Sequence, residues 1–143
     1  MDTYDISNDP GRLDLDAMHA YLSSSYWSPG IPKATLAKAV AHSICVGAYC
    51  GAKQVGFARM VTDRATFAYL ADVYVLEPHR GRGLAQRLIK ALLAEPDLQG
   101  LRRLMLVTRD GHRLYQKFGF QALAAPERFM ERHDPRVYLA ADA

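Results

Sequence analysis

Gly81 and Gly83 alternate with Arg80 and Arg82 and run into Leu84, Ala85 and Gln86, which makes this stretch the best suited in the chain to hold a ligand. Two glycines in three positions let the backbone approach a bound group closely, because no Cβ intervenes. A turn that opens a helix leaves the first-turn N–H groups without intrahelical acceptors, at the end that the helix dipole makes positive. Such an end takes an anion, above all a phosphate or pyrophosphate. The two arginines add fixed charge, so the expected ligand is phosphorylated. The plain alternative is an ordinary strand-to-helix turn.

Arg80-Gly81-Arg82-Gly83-Leu84-Ala85 resembles the Arg/Gln-x-x-Gly-x-Gly/Ala signature of the GNAT N-acetyltransferases, and Val75-Leu76-Glu77-Pro78 resembles the lead-in that often precedes it. Leu114-Tyr115-Gln116-Lys117-Phe118-Gly119-Phe120 is similar to a second marker of that family, Leu-Tyr-x-Lys-x-Gly-Phe. The resemblance covers the second half of the chain; the first half fits the family's layout loosely. It implies acetyl-CoA as co-substrate, with Val73 and Val75 offering backbone groups to the pantetheine arm. Arg80, Gly81, Arg82, Gly83, Leu84, Ala85 and Gln86 would hold the diphosphate.

The resemblance also implies that Tyr115 is the general acid that protonates the departing thiolate. Free thiol and phenol differ by about 1.5 pKa units, so a nearby phenol serves without extreme tuning. The other reading of Tyr115 is a core residue with its hydroxyl at the rim. Asp72 is the one acid inside a long apolar strand, and two readings stay open. A carboxylate there takes the proton of the incoming ammonium, directly or through water, or else it is structural and pairs with an arginine. Tyr26, Trp27 and Tyr69 are expected to line the acceptor pocket, core packing being the alternative. Asp63, Glu127 and Glu131 are candidate partners for a cationic acceptor, and Arg109 and Arg113 extend the basic surface towards a phosphate.

The elements that must carry these residues follow from periodicity. Tyr4 to Ser7 reads as a first strand. A helix starts after Asp14, which caps it, and ends at Tyr26-Trp27-Ser28-Pro29-Gly30. Ile31 to His42 is a second helix, with Pro32 in its first turn. Ser43 to Tyr49 and Gln54 to Val61 form a hairpin across Gly51-Ala52-Lys53. Phe67 to Leu76 is the longest β candidate, nearly all apolar, and is expected at the centre of the sheet.

Gly83 to Ala94 is an amphipathic helix, and Leu104 to Thr108 a strand parallel to the preceding one through that crossover. His112 to Phe118 is a short helix stopped by Gly119, and Phe120 to Leu123 with Phe129 to His133 read as two closing strands. The order describes a three-layer α+β domain with a mixed, mostly antiparallel central sheet. The resemblance makes it a single GNAT domain over residues 1–143.

Bulk properties exclude several classes. At 143 residues the chain is one domain's length, and 50% apolar with 23% charged composition argues against disorder. A net charge of +3 is too mild for nucleic acid, whereas the basic excess from Arg80 to Lys90 suits a small polyanion. No apolar run approaches a membrane span, and the acidic start is unlike a signal peptide. Two cysteines and five scattered histidines give no metal spacing, so no metal is expected and the cytoplasm is the default compartment.

The expected function is acetyl transfer to a primary amine by direct attack in a ternary complex, the acceptor being a small molecule or a peptide. A homodimer is compatible with the chain. The alternative is a non-catalytic CoA- or nucleotide-binding regulator on the same scaffold. A dinucleotide oxidoreductase is disfavoured because the spacing departs from Gly-x-Gly-x-x-Gly and no alternating βα series follows.

Overall fold

Five strands form one mixed sheet in sequence order, β1 (Tyr4–Ser7), β2 (Ile44–Cys50), β3 (Lys53–Thr62), β4 (Phe67–Val75) and β5 (Arg103–Met105). The first four are antiparallel to their neighbours, and β5 alone runs parallel to β4. This computed structural model describes residues 3–140, so residues 1–2 and 141–143 of the expected domain lie outside the described residues.

Two helical layers cover the sheet. On one face lie α1 (Leu15–Leu22) and α2 (Lys33–Ala41), whose Met18, Leu22 and Leu36 pack with Phe57 and Tyr74. Asp14 does cap α1, accepting from Ala17 N–H at 3.0 Å. Pro32 sits one place outside α2, at its N-cap, rather than in its first turn. On the other face lies α3 (Leu84–Leu93), which buries Leu84, Leu88, Ile89 and Leu92 against Val46, Val55, Met60 and Leu70. Those four spacings are one helical stripe, and the stripe fixes how the Gly81–Gly83 turn is presented.

The β4–α3–β5 crossover has the parallel pairing expected of it. Yet β3, not β4, is the longest strand and lies in the middle, with β4 between β3 and β5. The expected β5 is also short: it pairs only Phe67–Tyr69 with Arg103–Met105. After α4 (His112–Gln116), Gly119 at φ +88° does turn the chain out of the helix.

The two closing strands, by contrast, are not formed. Residues 120–136 contain one 3-10 turn at Pro126–Arg128 and no strand before α5 (Val137–Ala140). The physical reason lies in the pairing partner. A three-residue β5 offers little ladder, and Phe129 instead places its ring under the Arg103 guanidinium, 5.1 Å away. Apolar runs this short do not settle strand against loop by periodicity.

One packing detail lies away from the cleft. The Tyr49 ring lies over Gly47 on its own strand, where a Cβ would come within 2.5 Å of Tyr49 Oη and 2.8 Å of Cζ. The Arg12 guanidinium covers the ring at 4.1 Å, and the buried hydroxyl has no hydrogen-bond partner among the described residues.

Candidate active site

A break in the β4 ladder creates the site. Phe57 faces Tyr74 and Arg59 faces Ala71, so Ala58 alone opposes both Asp72 and Val73. Two residues against one is a β-bulge, which bends and twists its strand. Asp72 there adopts φ +57°, a left-handed conformation that costs a non-glycine residue about 1–2 kcal/mol, though aspartate tolerates it better than most. Past the bulge β4 diverges from the short β5, and a cleft of about 1220 Å³ opens between β4 and residues 106–111.

One end of the cleft is main chain. Gly81 and Gly83 have φ of +78° and +75°, and a Cβ built on either meets nothing within 4 Å. The turn is therefore strained for any L side chain and open on its outer face. Gly83 is the N-cap of α3, and no side chain among the described residues caps the helix. The N–H groups of Leu84, Ala85 and Gln86 thus have no intrahelical acceptor. Strand geometry completes this end. Leu76 N–H goes to Val55 on β3, so the backbone groups of Val75 point the other way, into the cleft.

Arg80 folds back over that end, its Nε donating to Val75 O at 2.8 Å and its Nη2 to Tyr21 Oη at 3.1 Å. Arg82 turns towards β1 and donates from Nη1 to Tyr4 Oη at 2.9 Å. Tyr4 Oη also lies 2.8 Å from His79 Nδ1.

Across the gap, α4 presents Tyr115 to the cleft. Its ring is held edge-to-face by Phe120 and by a close approach at Gly111, where a Cβ would sit 2.9 Å from the ring. Burial pushes the phenol pKa up, and the neighbouring Tyr26 phenol and Asp110 carboxylate push it further. The phenol therefore stays protonated at neutral pH, as a weaker acid than a free phenol.

The remaining end is made of side chains from distant elements. Asp72 Oδ1 accepts from Trp27 Nε1 at 2.8 Å and Oδ2 from Arg59 Nε at 2.8 Å. The ion pair is largely buried, with side-chain exposures of 6% for Asp72 and 16% for Arg59. Arg59 Nη1 donates in turn to Ser43 Oγ at 3.2 Å, and Ser43 Oγ to Ala39 O at the end of α2. Trp27 packs edge-to-face with Tyr26, and the Arg109 guanidinium stacks on the Tyr26 ring at 3.9 Å. Tyr69 completes the wall with Glu131 near it, and burial raises its pKa.

Tyr115, Asp72, Val73, Val75, Arg80, Gly81, Gly83, Leu84, Ala85, Gln86, Tyr26, Trp27 and Tyr69 therefore line one cleft, while Arg82 reaches to β1. Asp63 does not join them. It closes the β3–β4 turn, accepting from the Thr66 hydroxyl and from the N–H groups of Thr66, Ala65 and Phe67, and these bonds, the hydroxyl's first, hold its pKa well below the carboxylate range. Arg109 stands on the Tyr26 ring at the Trp27 end of the cleft. Sequence reasoning missed Arg59, Tyr21 and His79. Their only signal was residue type, since their partners are up to 75 positions away.

Comparison with known proteins agrees with this architecture. Residues 7–120 match the profile of the Acetyltransferase (GNAT) family. The chain is similar to a Gibberella zeae protein assigned as an acetyltransferase, at 37% identity over 80% of this chain and 76% of that one. Among solved structures it is similar to a Xanthomonas campestris protein assigned to the GNAT family, with TM-score 0.92, 45% identity, and coverage of 96% and 98% of the two chains. A Clostridium acetobutylicum protein assigned as an acetyltransferase and solved with acetyl-CoA shares the fold at TM-score 0.67 and 17% identity, over 93% of this chain and 96% of that one.

Proposed function

The chain belongs to the GNAT acetyltransferase family and is an N-acetyltransferase; on that premise we propose that it carries an acetyl group from acetyl-CoA to a primary amine by direct attack in a ternary complex. One observation carries this reading. A single cleft has an uncapped helix start with two left-handed glycines at one end, and a neutral phenol on the wall facing β4.

The residues present fit acetyl-CoA. Main-chain N–H groups from Gly81 to Gln86 take the diphosphate, and Arg80 and Arg82 swing from their tyrosine and carbonyl partners to add charge. Val73 and Val75 pair with the amide-rich arm along the edge that β5 leaves open. Tyr26, Trp27 and Tyr69 bound the space for the acceptor.

In the reaction the amine nitrogen bonds to the thioester carbonyl carbon as the C–S bond breaks. The nitrogen's proton leaves through water, and Tyr115 Oη gives its proton to the departing sulfur. Holding both reactants in register accounts for most of the acceleration. Residues 1–143 act as one domain in this scheme.

Calorimetry with acetyl-CoA, followed by thiol release against a panel of alkylamines, amino acids and peptides, tests the proposal. Binding together with release on at least one amine is expected. Binding without release on any amine would refute the transfer, and no binding would refute the cofactor.

A further inference from the structure

We propose that Asp72 is a positioning residue: through its hydrogen bond to Trp27 it ties the loop between α1 and α2 down over the acceptor end of the cleft. Three observations point the same way. The carboxylate sits at the strained residue of the β4 bulge, at φ +57°, so a rare backbone conformation is kept to aim this one side chain. Both of its oxygens are already engaged, one by the Trp27 indole and one by Arg59. Beyond Arg59 the chain of bonds runs on through Ser43 to the end of α2, so the tie is anchored in a rigid element.

Trp27 is 39% exposed, and its contacts with Tyr26 and Tyr21 are ring to ring at centroid distances of 5.1 and 6.5 Å. Such ring contacts permit sliding. The directed bond to Asp72 does not, and it sets where the indole stands. Arg59 meanwhile cancels the buried charge, so the acceptor meets an aromatic wall at this point rather than a bare carboxylate. The class of acceptor that fits is an amine carried on an apolar or flat body able to lie against Trp27 and Tyr69.

Trp27 is the chain's single tryptophan, which gives a direct readout. Its fluorescence and its quenching by acrylamide, measured on the full chain of wild type and Asp72→Ala, report the tie without any catalysis. A red-shifted, more readily quenched indole in the variant is expected, with circular dichroism confirming that the chain is folded. An unchanged indole would overturn the tie.

Kinetics supply the second arm, which rests on the acetyl transfer proposed above. Trp27→Phe keeps a ring and removes the N–H, at an exposed site that does not endanger folding. It should raise the acceptor KM about tenfold, the worth of one hydrogen bond to a charged group, and leave the acetyl-CoA KM unchanged. Adding Asp72→Ala to Trp27→Phe should raise the acceptor KM little further, because one residue acts through the other. If instead Asp72→Asn removes the acid limb of the kcat/KM pH profile while Trp27→Phe leaves the KM untouched, Asp72 is the base and the positioning role is wrong. A wild-type chain with no acetyl transfer would refute the proposed function, and the fluorescence result would still decide the tie.

Discussion

The two ends of the cleft are built by opposite means. At the Gly81–Gln86 end the groups offered to the cleft are backbone N–H groups, presented by a helix start and two glycines within six consecutive residues. At the Trp27 end they are side chains from the α1–α2 loop, β3, β4 and the segment after β5, tied by a buried ion pair. Main-chain donors accept any residue type that keeps the backbone conformation, whereas the side-chain end depends on each identity separately. The first end suits a ligand that never changes, and the second can be re-cut for a new acceptor without disturbing the first.

Substitutions that strike one end alone test this division. The largest effect is expected at the ion pair. Arg59→Met leaves Asp72 buried without its counter-charge and should cost about 3 kcal/mol of folding stability, read by chemical denaturation. A loss under about 1 kcal/mol would mean the pair behaves as a surface one.

Tyr115→Phe, between the two ends, should lower kcat about a hundredfold with the acetyl-CoA KM nearly unchanged, the scale of one general acid. At the main-chain end, Gly83→Ala puts a Cβ at φ +75° and should weaken acetyl-CoA binding by about 1–2 kcal/mol in calorimetry, while leaving the environment of Trp27 as it was. A change in Trp27 fluorescence in that variant would show the ends to be coupled.

The smallest effect is in pH. Burial raises the pKa of Tyr49, Tyr69, Tyr74 and Tyr115. The folded chain therefore holds these protons more tightly than the unfolded chain does. The stability they contribute is complete below the unfolded phenol value of about 10 and is lost as pH rises past it. Thermal melts from pH 7 to 11 should show a fall confined to the alkaline end.

The same division decides what was readable beforehand. The Gly81–Gly83 turn, its preceding strand and the Tyr115 segment are contiguous stretches whose glycines, arginines and apolar spacing name their geometry, and α3 follows from its stripe. The helix at Asp14 and the parallel β4–β5 pair were legible for the same local reason. Arg59 and Asp72 are 13 positions apart and Trp27 and Asp72 are 45 apart, and they meet only because a bulge turns one carboxylate inward. No periodicity announces a bulge. The closing strands failed for the opposite reason: Phe120–Leu123 and Phe129–His133 have the local pattern of strands, but β5 is too short to pair them.

Gly47 and Tyr49 form a lock of another kind. The ring fills the room that a methyl group on residue 47 would need, and its hydroxyl gains no bond among the described residues in return. Position 47 is therefore free to grow only after position 49 has given up its ring. A larger residue at 47 becomes tolerable once 49 shrinks, and Tyr49→Phe alone should pass almost unnoticed, since the oxygen it deletes has no partner among the described residues. Across descendants of this chain, bulk at position 47 should appear only where the ring at position 49 has gone.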